Sequence, residues 1–146
     1  MLRSYIAVKA LIQNKDTFLI LKTKDSDQND KLAGWETPGG RLEDGEEILF
    51  GLKREIVEET GLEINVLFPF NVYSGNTTLE NAIIGINFLA EHIDGDIKID
   101  KREHSKFMWA TVQQIKQLVR SVGLQKEIDA YNSFLNKLQK AKEDDE

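Results

Sequence analysis

Cysteine is absent from all 146 residues, which excludes disulfides, thiolate nucleophiles and zinc sites built on sulfur. That fits a reducing compartment, and a cytoplasmic location is expected. Long apolar runs are absent too. The N-terminal stretch from Met1 to Lys15 is interrupted by Lys9 and has no signal-peptide core, and no run approaches the roughly 20 apolar residues of a transmembrane helix. Positive charge is in short supply: 19 Lys and Arg against 25 Asp and Glu give a net charge of -6. Binding to long nucleic acid needs clustered cations, so no such partner is expected. A small anionic substrate stays open where a metal ion supplies the local positive charge. The chain also lacks repeats, low-complexity segments and an interdomain linker.

What is present is the balance of a globular protein, 40% hydrophobic and 30% charged. The length suits one domain over residues 1–146 with a real core and a single site. Tyr5 to Ile12 and Thr17 to Thr23 are rich in β-branched and apolar residues, and Gln13-Asn14-Lys15-Asp16 between them is turn material, which predicts a hairpin. The polar Lys24 to Leu32 is expected to be an exposed loop leading into Trp35-Glu36-Thr37-Pro38-Gly39-Gly40.

From Glu46 to Thr60, Leu49, Leu52 and Ile56 recur at helical spacing, with Gly61 placed as a C-terminal cap. Strands are predicted over Ile64 to Tyr73 and Ala82 to Ile93, separated by Ser74-Gly75-Asn76-Thr77-Thr78, with a tight turn at Asp94-Gly95-Asp96. A short strand is expected over Phe107 to Ala110, with Trp109 in the core, then a helix from an N-cap at Thr111 through Val119. A last helix spans Leu124 to Leu138, with Ile128, Tyr131, Leu135 and Leu138 on one face, and 140–146 reads as a frayed charged tail. Strands and helices do not alternate as a regular βαβ series, so the expected fold is α+β, a mixed sheet between helices.

The chemistry concentrates on the first helix. Glu55, Glu58 and Glu59 stand at i, i+3 and i+4, within an arc of about 100°. Like charges so crowded repel, and a divalent cation held by hard oxygen ligands compensates them. Leu49, Leu52 and Ile56 beside that arc would fix the carboxylates against the domain. Three clustered Glu alone would read more readily as a solvated acidic face.

The wider pattern reverses that weighing. Gly40, Glu46, Arg54-Glu55, Glu58-Glu59 and Gly61, at this spacing, resemble the Nudix box of the MutT-like hydrolases. The resemblance implies a Nudix-type α/β/α sandwich and hydrolysis of a nucleoside diphosphate linked to another moiety. It implies Mg²⁺, with Mn²⁺ able to substitute, held by Glu55, Glu58 and Glu59 together with Gly39, one Glu doubling as base. Arg54 would orient the site, either by holding Glu58 one turn away or by reaching back to Glu46.

Outside the box the readings divide. Glu103, ahead of the strand with Trp109, is either a metal ligand or general base, or a solvated loop residue. His104 is expected at the surface. Trp35 either stacks on a base or packs at the sheet edge, and Arg41 either touches a substrate phosphate or is an exposed loop residue.

Two subfamily readings lose weight. Nudix members for ADP-ribose or dinucleoside polyphosphates often carry a proline or tyrosine in the window that falls on Asn76 to Leu79, and neither is there. An isoprenoid isomerase would need the missing cysteine. Intact box glutamates argue against a non-catalytic nucleotide sensor, and a homodimer stays open.

Overall fold

The computed structural model describes residues 3–78 and 81–145, so the side of the Asn76 to Leu79 window that concerns Leu79 lies outside it. In chain order the elements are β1 (Ser4–Asn14), β2 (Thr17–Thr23), β3 (Trp35–Glu36), β4 (Gly39–Arg41), α1 (Ile48–Thr60), β5 (Glu63–Thr78), β6 (Asn81–Asp94), β7 (His104–Ala110), α2 (Val112–Lys116) and α3 (Val122–Asp144). The strands form one sheet in the order β3-β2-β1-β6-β5, with β4 added on β1 and β7 on β2. β1 and β6 run parallel and the other pairs antiparallel, so the sheet is mixed.

Both faces of the central strands are apolar, because side chains alternate across a strand and here both sets are hydrophobic. Val8, Ala10 and Ile12 of β1 with Leu19 and Leu21 of β2 meet Leu52 and Ile56 of α1. Leu11, Phe18 and Ile20 point the other way, onto Ile115, Leu118, Leu124, Ile128 and Tyr131 of the α2 and α3 region. The expected α/β/α sandwich is what forms.

α1 starts two residues later than predicted. Glu47 is its N-cap, accepting from the amides of Leu49 and Phe50 at 3.1 and 2.8 Å. That leaves Glu46 outside the helix, free to fold back over it. Gly61 closes the helix in the left-handed conformation, φ 74°, its amide donating to the Val57 carbonyl. Leu52 and Ile56 are fully buried, but Leu49, predicted in the same stripe, is 42% exposed. The Thr111 cap is present as a capping box with Gln114, although α2 ends at Lys116.

Two strand boundaries differ from expectation for one reason, pairing between distant segments, and the end of the last helix differs as well. β5 continues through Ser74-Gly75 to Thr78 because β6 supplies partners there. β7 begins at His104 because it pairs with Thr23 of β2. α3 runs to Asp144, so the charged tail is helical beyond Lys140. Its second half outreaches the sheet: Phe134 still meets Phe68, ring centroids 5.2 Å apart, while Leu135 and Leu138 are 40% and 42% exposed. No helix among the described residues is long and apolar enough to cross a membrane.

Candidate active site

The α1 carboxylates face the glycines of β4. β1 holds this loop: Val8 pairs with Gly40 and Lys9 with Gly39, and Leu52 and Ile56 anchor the helix from below. Glu59 is 7% exposed, and its Oε2 accepts from the Gly39 amide at 3.3 Å. Gly39 thus engages this face through its amide. Glu55 lies so close to Gly40 that a Cβ built there would stand 2.4 Å from the carboxylate carbon.

Arg54 does both things that the sequence offered as alternatives. Its Nε and Nη2 clasp Glu46 Oε2 and Oε1 at 2.6 and 2.7 Å. Its Nη1 donates to Glu55 Oε1 and Glu58 Oε2, both at 3.1 Å. One planar fork can serve three carboxylates because its five N–H groups point in fixed, divergent directions. The Arg54 hydrogen bonds hold the Glu46 carboxyl down at about 2, and Glu46 in turn leads in raising Arg54.

Charge is least compensated at the other two acids. Burial pushes Glu59 up to about 7, against the Gly39 amide and the charges of His104 and Lys9. Burial also pushes Glu55 up, with Arg54 opposing and the charges of Glu58 and Glu103 adding to the rise. Carboxylates that are costly to ionise without a counter-charge are the hard-oxygen donors that a divalent cation takes. Among the described residues no three Asp, Glu or His side chains already converge on one point. Glu58 and one oxygen of Glu55 are instead held by Arg54. Glu55 and Glu59 present carboxylate oxygens, the donor chemistry of a hard cation, on the side of the helix that meets Gly39 and Gly40.

The remaining candidates fall as follows. Glu103 is exposed, its carbonyl accepting from the Lys24 amide at 2.8 Å, and it is near enough for its charge to act on Glu55. Trp35 is 7% exposed, packs in the core, and donates its indole N–H to the Lys31 carbonyl at 2.9 Å. It also lines a cavity of about 550 Å³; of its two readings, packing is the one the structure shows. Arg41 is exposed and sits over the Tyr5 ring, 4.7 Å from the centroid. Trp109 is partly buried, packed against the α1-side cluster.

His104 is a correction. Expected at the surface, it is 2% exposed, with Nε2 2.8 Å from Glu36 Oε1. Burial alone would lower its pKa, but the Glu36 hydrogen bond and the charges of Glu59, Glu36 and Glu103 carry it above the ordinary value. Glu36 also approaches Lys9 Nζ at 3.6 Å. Lys9, Glu36, Thr37, Asn87 and Glu127 all line the cavity, whereas none of Glu55, Glu58 or Glu59 does. These polar residues escaped the sequence reading. The available signal was a lysine inside a strand that is otherwise apolar on both faces.

The fold and the acidic helix packed on the glycine loop can be set beside known proteins. The NUDIX domain family model matches residues 3–130, and the chain belongs to that family. It is a Nudix hydrolase, an enzyme of phosphoric anhydride bonds. It is 30% identical to the nucleoside triphosphatase NudI of Escherichia fergusonii over 135 residues, covering 86% of this chain and 94% of that one. It is 34% identical to the ADP-ribose pyrophosphatase of Methanocaldococcus jannaschii over 95 residues, 64% of this chain and only 54% of that protein. Among solved structures, a MutT protein from Methanosarcina mazei superposes with a TM-score of 0.74 at 25% identity, covering 93% of this chain and 96% of that one. Enzymes of this family generally use a divalent metal and act on nucleotide-like diphosphates.

Proposed function

We propose that the protein is a Mg²⁺-dependent pyrophosphohydrolase, with Mn²⁺ able to substitute, that cleaves a nucleoside diphosphate linked to another moiety in the cytoplasm. The observation that carries this reading is Glu59: a buried carboxylate pushed up to about 7 at the head of a glycine loop, with Glu55 beside it. Glu55, Glu58 and Glu59, with Gly39, would hold the metal. When bound, it would neutralise phosphate charge and lower the pKa of the attacking water.

The chain's own residues do the positioning. Arg54, pinned by Glu46, aims Glu55 and Glu58 and keeps their mutual repulsion low until substrate arrives. Either Glu55 or Glu103 takes the proton of the attacking water, since Glu55 lies against the glycine loop and the charge of Glu103 reaches it. Trp35 offers an aromatic wall to the substrate, and Arg41, at the end of β4, serves its phosphates. Both the fully engaged Arg54 and the raised Glu55 favour Glu55 as the more important acid, so Glu55→Gln is expected to lower kcat by about 100-fold or more and Glu103→Gln by about tenfold. The reverse ordering in a kcat comparison would move the base to the loop.

The deciding experiment measures phosphate and nucleotide release from nucleoside triphosphates, ADP-ribose, nucleotide sugars and dinucleoside polyphosphates, each with Mg²⁺ and with EDTA. Metal-dependent cleavage of one class is expected. Binding without cleavage anywhere in the panel would replace this reading with that of a nucleotide sensor.

A further inference from the structure

Two buried polar atoms, each on a residue that lines the cavity, have no partner among the described residues. Glu127 of α3 is 6% exposed. Its Oε1 accepts from Thr37 Oγ1 at 2.8 Å, and its Oε2 is unpartnered. Asn87 of β6 is 1% exposed. Its Oδ1 accepts from Asn71 Nδ2 at 2.9 Å, which leaves its Nδ2 unpartnered. Such orphans are uncommon in a folded protein and require an explanation. Both residues line the cavity, as does Trp35. Among the groups lining that cavity, a ligand would find one unpartnered acceptor, one unpartnered donor and an indole.

We propose that Glu127 and Asn87 read the heterocycle of the substrate, and that this cavity selects the guanine edge. The proposal rests on the nucleotide-hydrolase reading above and names its substrate more narrowly. The cavity, about 550 Å³, has the size of a small-ligand site. The choice of base follows from polarity. A carboxylate oxygen only accepts and an amide nitrogen only donates. Guanine offers two adjacent N–H donors, N1–H and the 2-amino group, next to the O6 acceptor. Glu127 Oε2 can take the donors while Asn87 Nδ2 serves O6.

The other bases fit worse. Adenine and cytosine set a ring-nitrogen lone pair beside their amino group, so one lone pair would face the carboxylate. Uracil and thymine place a single N–H between two carbonyl oxygens, and both oxygens would crowd the same charge. Burial pushes the Glu127 carboxyl up, and the charge of Lys9, which lines the same cavity, opposes that rise.

The test compares kcat/KM of the wild-type protein for dGTP, dITP, dATP, dCTP and dTTP with Mg²⁺, beside calorimetric binding of methylene-bridged GTP and ATP analogues. Guanine is expected to lead adenine by about 10–100-fold, the range for hydrogen bonds to a charged group. Inosine, which lacks only the 2-amino group, should fall between them. Glu127→Gln, which keeps the side-chain volume, should cut the guanine preference about tenfold and leave the metal dependence unchanged. Hydrolysis with no base preference, or with adenine or cytosine preferred, overturns this inference and leaves the enzymatic reading standing. Tighter binding of the guanine analogue without hydrolysis does the opposite. If the variant does not fold, the wild-type series decides alone, and neither binding nor hydrolysis of any guanine nucleotide overturns both.

Discussion

Replacing Glu59 with glutamine is expected to lower turnover by two orders of magnitude or more and, at pH 8, to make the metal-free protein more stable. The two effects share one cause. Burial raises the Glu59 carboxyl from 4.5 to about 7, so the folded protein holds this proton more tightly than the unfolded chain does. Between those values the folded state binds more protons, and stability falls as pH rises. The penalty is absent below about pH 4.5, is fully present above about pH 7, and amounts to about 3 kcal/mol at most. Partial solvent contact reduces the expected gain from glutamine to about 1–3 kcal/mol at pH 8 and to nothing at pH 4. Urea unfolding in EDTA at both pH values, with kcat in Mg²⁺, measures both halves. Added Mg²⁺ should stabilise the wild type by mass action and the variant much less. A variant with normal turnover, or one no more stable at pH 8, would remove Glu59 from the metal assignment.

A buried acid kept at a cost to the fold is a common mark of a functional site, and this one could be read from the sequence. α1 was legible because its signals are local: helical periodicity in Leu52 and Ile56, three acids on one arc, and Gly61 as the cap. The pairing of Arg54 with Glu46 was legible too, as one of two alternatives, through the family resemblance. What was not local was missed. His104 stands in a polar run, Arg102-Glu103-His104-Ser105, and is buried only because β7 pairs with Thr23 and brings it onto Glu36, far away in sequence. Glu127 sits between apolar helix positions and reads as a solvent-facing charge until Thr37 is folded against it. Leu135 and Leu138 keep helical spacing with Ile128 and Tyr131, yet the sheet ends before it can cover them. Periodicity reports which face of an element is apolar. It does not report how far the neighbouring layer extends, or which polar groups that layer brings inside.

The glycine pair allows the geometry of the site to be tested apart from its charges, because its two members should fail differently. At Gly39 the backbone φ is +153°, and an added Cβ would stand 2.1 Å from the Val8 carbonyl oxygen and 2.7 Å from the Lys9 Cα. Those are backbone atoms of a central strand and cannot turn aside. Gly39→Ala must therefore push β4 off β1 and break the Gly39 amide contact with Glu59, so a loss of about 3 kcal/mol or more is expected together with nearly all activity. At Gly40 the obstacle is the end of a flexible side chain, the Glu55 carboxylate, at 2.4 Å. That group can rotate away, so Gly40→Ala should cost about 1 kcal/mol or less in stability but lower kcat about 100-fold by displacing an acid from the metal side of the helix. Gly45→Ala is the control: its φ is +75° with nothing within 4 Å, so it should lose about 1–2 kcal/mol to backbone strain and keep its kcat. Urea midpoints and kcat for the three variants separate the cases. A Gly40→Ala protein with wild-type kcat would detach Glu55 from the chemistry, because the substitution leaves that carboxylate no room where it now lies.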